Sequence, residues 1–90
     1  MHYDKRKIGD KMELEVLKTA ISNILKVDPN EITEETTFLG DLGADSLDVY
    51  QIVSGVEEEL NITITAEDVE QITTVREAVE VITKAEKNAS

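Results

Sequence analysis

Ser46 is the residue of this sequence best suited to chemistry, because it stands in the segment Gly-Ala-Asp-Ser-Leu-Asp, residues 43–48, at the predicted start of a helix. A nucleophilic serine needs a base within reach. The chain has one histidine, His2, near its N-terminus, and it has no cysteine. Neither a Ser-His-Asp nor a Cys-His arrangement follows from these residues, which disfavours a small hydrolase that uses Ser46. We therefore predict that Ser46 is a site of covalent attachment and that the chain is not an enzyme.

The charge around Ser46 is strongly negative. Thirteen Asp and Glu residues lie between Lys26 and Arg76, with no Lys or Arg among them, and the whole chain has a formal net charge of −11. Nucleic acids and anionic membrane surfaces are contacted through Lys and Arg, so both are excluded as partners. The expected partners are proteins with basic patches.

The length and composition predict one small domain, and we expect it to be cytoplasmic, or organellar after processing. Ninety residues with 40% hydrophobic and 3% aromatic content give a small aliphatic core and no deep pocket lined by rings. The absence of cysteine removes disulfides and thiolate metal sites, and no metal site is expected. No apolar run is long enough for a signal or membrane segment, so we expect no stable membrane insertion and a monomer.

The apolar periodicity predicts four helices. The first begins at Met12, has a stripe of Leu14, Leu17, Ile21, Ile24 and Leu25, and ends near Val27, before Pro29. Residues 30–44 have no sustained period and predict a long loop whose Ile32, Phe38, Leu39 and Leu42 face the core. The second helix begins at Asp45 or Ser46, with Asp45 as its cap, and ends at Asn61.

The last two helices are shorter or frayed. Thr65 is suited to cap a short third helix. Thr73 or Thr74 is suited to cap a fourth helix, which is expected to fray after Lys84. Ile62 and Ile64 lie in an extended segment that is too short for a sheet. We therefore predict an all-α four-helix bundle with a long loop between helices 1 and 2 and a short third helix. Residues 1–11 are expected to be a flexible leader or tag-like segment without helical periodicity, 12–86 the domain, and 87–90 a disordered tail.

Three motifs give the region from about Met12 to Ile82 a resemblance to the acyl carrier proteins. They are residues 38–48, Phe-Leu-Gly-Asp-Leu-Gly-Ala-Asp-Ser-Leu-Asp; then Glu-Glu-Glu-Leu at 57–60; then Ile-Thr-Thr-Val at 72–75. The resemblance implies that a phosphopantetheinyl transferase attaches 4′-phosphopantetheine from coenzyme A to Ser46, with Asp45 and Leu47 as the motif's flanks. Acyl groups would then be held as thioesters on the arm, for fatty acid or related polyketide or lipid biosynthesis.

The resemblance also implies two sets of contact residues. Acyltransferases, ketosynthases and other acyl-processing enzymes with basic patches are expected to dock on one set: Asp45, Leu47, Asp48, Tyr50, Gln51, Ser54, Glu57 and Glu58. The acyl chain is expected to contact the other set, between the second and third helices: Val53, Val56, Leu60, Ile62, Ile64, Ala66, Val69 and Ile72.

Several positions depart from the usual pattern of the family. Gln51 stands where Glu is usual, Ser54 where an apolar residue is frequent, Tyr50 where a small aliphatic residue is usual, and Thr65 where Pro is common. These substitutions concern partner choice rather than the carrier role. Two alternatives remain: an acidic, carrier-like interaction subunit that never bears an arm, and a peptidyl or D-alanyl carrier of a specialised pathway.

Overall fold

A computed structural model of the chain describes residues 5–89, with side chains described from Glu13 to Asn88. The helices are α1 Lys5–Leu25, α2 Ser46–Leu60, α3 Ala66–Glu70 and α4 Val75–Ala89, with one 3-10 turn at Pro29–Glu31. Residues 5–89 contain no β-strand, and their β pairing is an isolated antiparallel bridge between Thr37 and Thr74. The predicted all-α fold, with its long first connection and short third helix, is confirmed. None of the described helices has the length and apolar character needed to cross a membrane.

The core is formed by all four helices together with side chains of the long connection and of the segment between α2 and α3. The predicted apolar stripes supply it, because residues three and four apart share one face of a helix. Its fully or almost fully buried members are Leu17 and Ile21 of α1, Ile52 and Val56 of α2, Val75, Ala78 and Ile82 of α4, and Ile32, Phe38 and Ala44 of the connection.

Both ends of the helical region differ from the sequence prediction. The helix α1 begins at Lys5 rather than Met12, so the expectation that residues 1–11 lack helix is wrong for residues 5–11. Likewise α4 continues to Ala89, so residues 87–89 of the expected disordered tail are helical. Lys and Arg at the start of α1, and Lys and Ala at the end of α4, have high intrinsic helix propensity. Because of this propensity, both helices continue beyond their apolar stripes. Residues 1–4 and Ser90 lie outside the described residues, and the division into leader, domain and tail stays a prediction.

Backbone hydrogen bonds hold the long connection against the start of α4. The amide of Phe38 donates to the carbonyl of Thr73 at 3.0 Å, and the amide of Val75 donates to the carbonyl of Thr36 at 2.9 Å. A third bond joins the amide of Arg76 to the carbonyl of Glu34 at 2.9 Å. These bonds fix the segment that leads into Ser46 without a sheet or helix of its own.

Candidate functional site

Ser46 is exposed and is the first residue of α2. Asp45 precedes it in an extended conformation and accepts the amide of Asp48 on its Oδ1 at 3.0 Å. The backbone carbonyl of Asp45 accepts the amide of Val49 at 3.0 Å. This is the N-cap arrangement predicted from the sequence, and it fixes where α2 begins and therefore where the Ser46 hydroxyl stands.

The chain approaches Ser46 through a turn that leaves open space beside it. Gly43 has a φ of +66°, a left-handed conformation that favours glycine, and apart from its two chain neighbours no residue has an atom within 4 Å of where its Cβ would be. The next residue, Ala44, is buried, and its amide donates to the carbonyl of Phe38 at 2.8 Å. The turn is therefore held to the core at Ala44, while the space beside Gly43 stays open.

A second local arrangement shapes the loop before that turn. The amide of Thr37 donates to Asp41 Oδ2 at 2.9 Å, and the amide of Asp41 donates to Thr37 Oγ1 at 2.9 Å. A Cβ at Gly40 would lie 2.8 Å from Thr37 Oγ1, so glycine is needed there for this reciprocal pair. The loop turns Leu39 outward, with 74% of its surface exposed. The sequence prediction that Leu39 faces the core is wrong, because Phe38 and Leu42 already supply the inward positions of this turn.

The large exposed hydrophobic residues of the described chain gather around Ser46. They are Leu39 at 74%, Leu47 at 66% and Tyr50 at 39% exposure. A cleft of about 580 Å³ borders Ser46 and includes Leu39 and Tyr50 in its wall. Its other apolar lining residues are Phe38, Ala44, Val49, Val69 and Ile72, and polar groups come from Thr37, Asp45, Glu70 and Thr73. The sequence analysis did not place Glu70 or Thr73 near Ser46, because their proximity to it depends on how α3 packs.

The predicted docking residues do not all have the same surroundings. Leu47, Gln51, Ser54 and Glu58 are exposed and recur at three- and four-residue spacing, so they share the outer face of α2. Asp45 is exposed beside Ser46, and Asp48 is half-buried. Since the sequence supplies no Lys or Arg between Lys26 and Arg76, this helix has no cation of its own to balance these carboxylates.

Glu57 is different, because its carboxylate bonds within the protein. Its Oε2 accepts the amide of Ile64 at 2.6 Å, across the connection between α2 and α3. The sequence analysis grouped Glu57 with the acidic docking residues. It did not predict the contact with Ile64, because no periodicity in the sequence indicates a contact between a helical residue and one seven positions later in an extended segment. Its part in docking stays a prediction, beside this structural contact.

The predicted acyl-contact residues are mostly core. Val53, Val56, Ile62, Ile64 and Val69 are buried, while Leu60 and Ile72 are half-buried. Ala66 is exposed at the start of α3. The predicted contact of Ala66 with the acyl chain stays a prediction, beside this exposure at the first residue of α3.

The interior between α2 and its neighbours is closed. The void bordered by Val53, Val56, Ile64 and Ile72 has a volume of about 10 Å³. Such a space holds no more than a single water molecule. The open volume near Ser46 is the surface cleft, and the two spaces have Phe38, Val49 and Ile72 in common.

The residues around Ser46 fit a phosphodiester-linked group. The hydroxyl is exposed, and helix geometry leaves the first amides of α2 without intrahelical acceptors. Asp45 accepts the amide of Asp48, and the amides of Ser46 and Leu47 are among the other amides of this first turn. Amides at the positive end of a helix dipole favour a phosphate oxygen, and the adjoining cleft offers apolar and polar contacts to a longer substituent.

Comparisons with known proteins agree on one family. A family model described as a phosphopantetheine attachment site matches residues 15–82. An acyl carrier protein from Clostridium perfringens is 48% identical over 68 residues, which cover 76% of this chain and 90% of that protein. An acyl carrier protein structure from Enterococcus faecalis has a TM-score of 0.69 and 32% identity, covering 84% of this chain and 96% of the other. A structure from Mycobacterium tuberculosis that is described as an acyl carrier protein has a TM-score of 0.74 and 30% identity. The match covers 80% of this chain and 96% of the other.

Proposed function

This chain belongs to the acyl carrier protein family, and from that premise we propose that Ser46 bears its 4′-phosphopantetheine. The family fixes the cofactor and the role: the protein is a carrier of acyl groups and not a catalyst. The observation that supports Ser46 as the attachment site is its position: it is exposed, it is the first residue of α2, and it borders a cleft of about 580 Å³. The arm, when bound, supplies a terminal thiol that holds acyl groups as thioesters, which this cysteine-free chain could not do itself.

The chain's own residues present Ser46 to other enzymes. Asp45 fixes the start of α2, so the hydroxyl stands at a defined place at the end of a rigid element. Gly43 keeps the approach clear of side-chain atoms. The nearby Leu39 and Leu47 are apolar and exposed, so a partner can cover them with an apolar surface when it binds.

Charge complementarity supports the choice of partner. We infer that a phosphopantetheinyl transferase, and acyltransferases or ketosynthases with basic patches, bind the outer face of α2 around Leu47 and Glu58. Their Lys and Arg would meet a helix without cations of its own, which favours rapid and oriented association. The pathway that this proposal assigns is fatty acid or related lipid biosynthesis in the cytoplasm.

The surface cleft is the proposed first resting place of the attached group. It reaches Ser46 directly, whereas the interior void of about 10 Å³ is too small for an acyl chain. Val69 and Ile72 of the predicted contact set line this cleft. Deeper contacts with Val53, Val56 and Ile64 would need movement of the core.

Loading in vitro tests the assignment of Ser46. Apo protein is incubated with coenzyme A, magnesium and a promiscuous transferase, and its intact mass is measured. We expect the mass of one phosphopantetheine to be added to the wild type and to Ser54→Ala, which changes another exposed serine of α2. Ser46→Ala should stay unmodified, and an arm on that variant would refute the assignment.

A further inference from the structure

The connection between α2 and α3 is held by one residue, Glu57, at three points. Its backbone carbonyl accepts the amides of Asn61 and Ile62, the latter at 3.1 Å. Its carboxylate accepts the amide of Ile64 at 2.6 Å. The first two bonds end the helix, as the left-handed Asn61 indicates. The third reaches beyond the helix end and sets the position of Ile64.

Ile64 forms one wall of the closed interior, and it is the wall that lies outside a helix. Its side chain is 8% exposed and borders the void of about 10 Å³ together with Val53 and Val56. Those two valines belong to α2, where every interior backbone amide is bonded within the helix. Ile64 instead lies on a non-helical segment, and the hydrogen bond of its amide goes to the Glu57 side chain.

Room for an acyl chain between α2 and α3 therefore depends on displacing Ile64. A backbone amide bonded to a carboxylate forms a stronger hydrogen bond than one bonded to a neutral acceptor. Breaking that bond frees the segment that holds Ile64 in the core, while α2 itself stays intact. The Glu57 carboxylate thus opposes opening at this one place.

We propose that Glu57 is a positioning residue whose carboxylate holds Ile64 in the core and so limits entry of the acyl chain between α2 and α3. The inference rests on the proposed function, because it concerns the acyl group held through Ser46. It gives Glu57 a task that differs from that of Glu58, which follows it on α2 and is exposed.

Hydrogen exchange in the apo protein tests the contact without any arm. In Glu57→Ala the Ile64 amide loses its acceptor, and we expect it to exchange about tenfold faster, the effect of losing one bond to a charged group. Glu57→Gln keeps a side-chain oxygen that can accept the bond and should restore most of the protection. Glu58→Ala removes the same charge from the next position and should leave this amide unchanged. Unchanged exchange in Glu57→Ala would overturn the proposal.

Thioester protection in the loaded protein tests the consequence. The same variants are converted with octanoyl coenzyme A and the transferase, and intact mass shows first that each has the acylated arm. Cleavage of the thioester by hydroxylamine is then timed. We expect Glu57→Ala to be cleaved several-fold more slowly than wild type or Glu58→Ala, because its chain enters the core more readily, and Glu57→Gln to approach wild type.

The outcomes separate the two proposals. If hydroxylamine cleaves the thioester of Glu57→Ala as fast as that of Glu58→Ala, or faster, the proposed control of acyl-chain entry is overturned. This holds even if the Ile64 amide exchanges faster in Glu57→Ala. A Glu57→Gln protein that behaves like Glu57→Ala in both measurements would also overturn it, because a side chain that can still accept the Ile64 amide would then fail to hold Ile64 in the core. Wild type that takes up no acylated arm refutes the proposed function and, with it, this inference.

Discussion

At the scale of single residues, the placement of Ser46 depends on Asp45. The Oδ1 of Asp45 accepts the amide of Asp48 at 3.0 Å, and this bond determines the first turn of α2. Asp45 is also a proposed docking residue, so its structural and electrostatic contributions must be separated. An amide side chain does so, since asparagine caps helices about as well as aspartate but has no charge.

We predict that Asp45→Ala lowers the free energy of unfolding by about 1 kcal/mol, the usual cost of losing an N-cap. Asp45→Asn should stay close to wild type. Both would be measured by urea denaturation with a common slope. If Asp45→Asn were as unstable as Asp45→Ala, the charge on Asp45 rather than its hydrogen bond would be the stabilising feature.

Three neighbouring residues of α2 bear on partner choice. Tyr50 lies in the cleft wall beside Ser46, and Gln51 and Ser54 are exposed on the outer face of the helix. Gln51 offers no charge to a partner cation, Ser54 offers no apolar group, and Tyr50 adds a ring that can fill or obstruct a partner's pocket. A dedicated partner would therefore fit this surface better than a general one.

We predict that a Tyr50→Val, Gln51→Glu, Ser54→Met triple variant is elongated faster than wild type by a general bacterial fatty acid synthase. Both proteins would carry the same acyl group and be compared at equal concentration. Matched uptake of the arm is the control for folding. Equal elongation of the two proteins would mean that these three positions do not distinguish between pathways.

At the scale of secondary structure elements, reciprocal side-chain to backbone bonds position α4 and the loop before α2. Thr74 Oγ1 accepts the amide of Glu77, and Glu77 Oε1 accepts the amides of Thr73 and Thr74. This is a capping box, and it starts α4 where the long connection is bonded to it. The element that presents Ser46 is therefore fixed from α4 as well as from its own cap.

Glycine substitutions give opposite predictions in the turn and in the helix. Gly43 has a φ of +66°, so Gly43→Ala should lower the free energy of unfolding by about 1 kcal/mol through backbone strain. Gly55 is inside α2, and a Cβ there would lie 3.9 Å from Ala20 Cβ, an ordinary contact. Gly55→Ala should therefore raise stability by about 0.5 to 1 kcal/mol. Thermal or urea unfolding of both variants measures these changes in stability. If Gly43→Ala changed the free energy of unfolding in the same direction and by the same amount as Gly55→Ala, the left-handed conformation of Gly43 would be contradicted.

Local signals in the sequence were sufficient for most elements but not for their ends. The start of α2 was predictable because Asp45 is a cap and Val49, Ile52 and Val56 give a clear helical stripe. The start of α1 at Lys5 was not, since residues 5–11 have no apolar stripe to mark them. The exposure of Leu39 and the bond between Glu57 and Ile64 depend on tertiary packing, which no local pattern reports.

At the scale of the whole molecule, the net charge of −11 should govern association. We predict that the rate of association with a transferase or synthase falls markedly as salt rises through physiological strength, where the screening length is about 8 Å. Stopped-flow measurements at several salt concentrations would show it. Glu58→Gln should weaken the salt dependence, and an association rate independent of salt would count against electrostatic steering.

The same charge should affect folding. Like charges on a small domain repel one another, and this repulsion destabilises the compact state. We therefore expect the melting temperature to rise when sodium chloride is added at constant pH. A melting temperature that does not change with salt would indicate that the carboxylates are spaced widely enough to be harmless.

The most direct test of the central claim is to locate an acyl group on the chain. The protein is loaded with an acyl coenzyme A by a transferase, digested, and its peptides are analysed by mass before and after neutral hydroxylamine. We predict that one peptide, the one that includes Ser46, has the acylated arm, and that hydroxylamine removes the acyl mass and leaves the arm. An acyl group that resists hydroxylamine, or one found on a peptide without Ser46, would contradict this account.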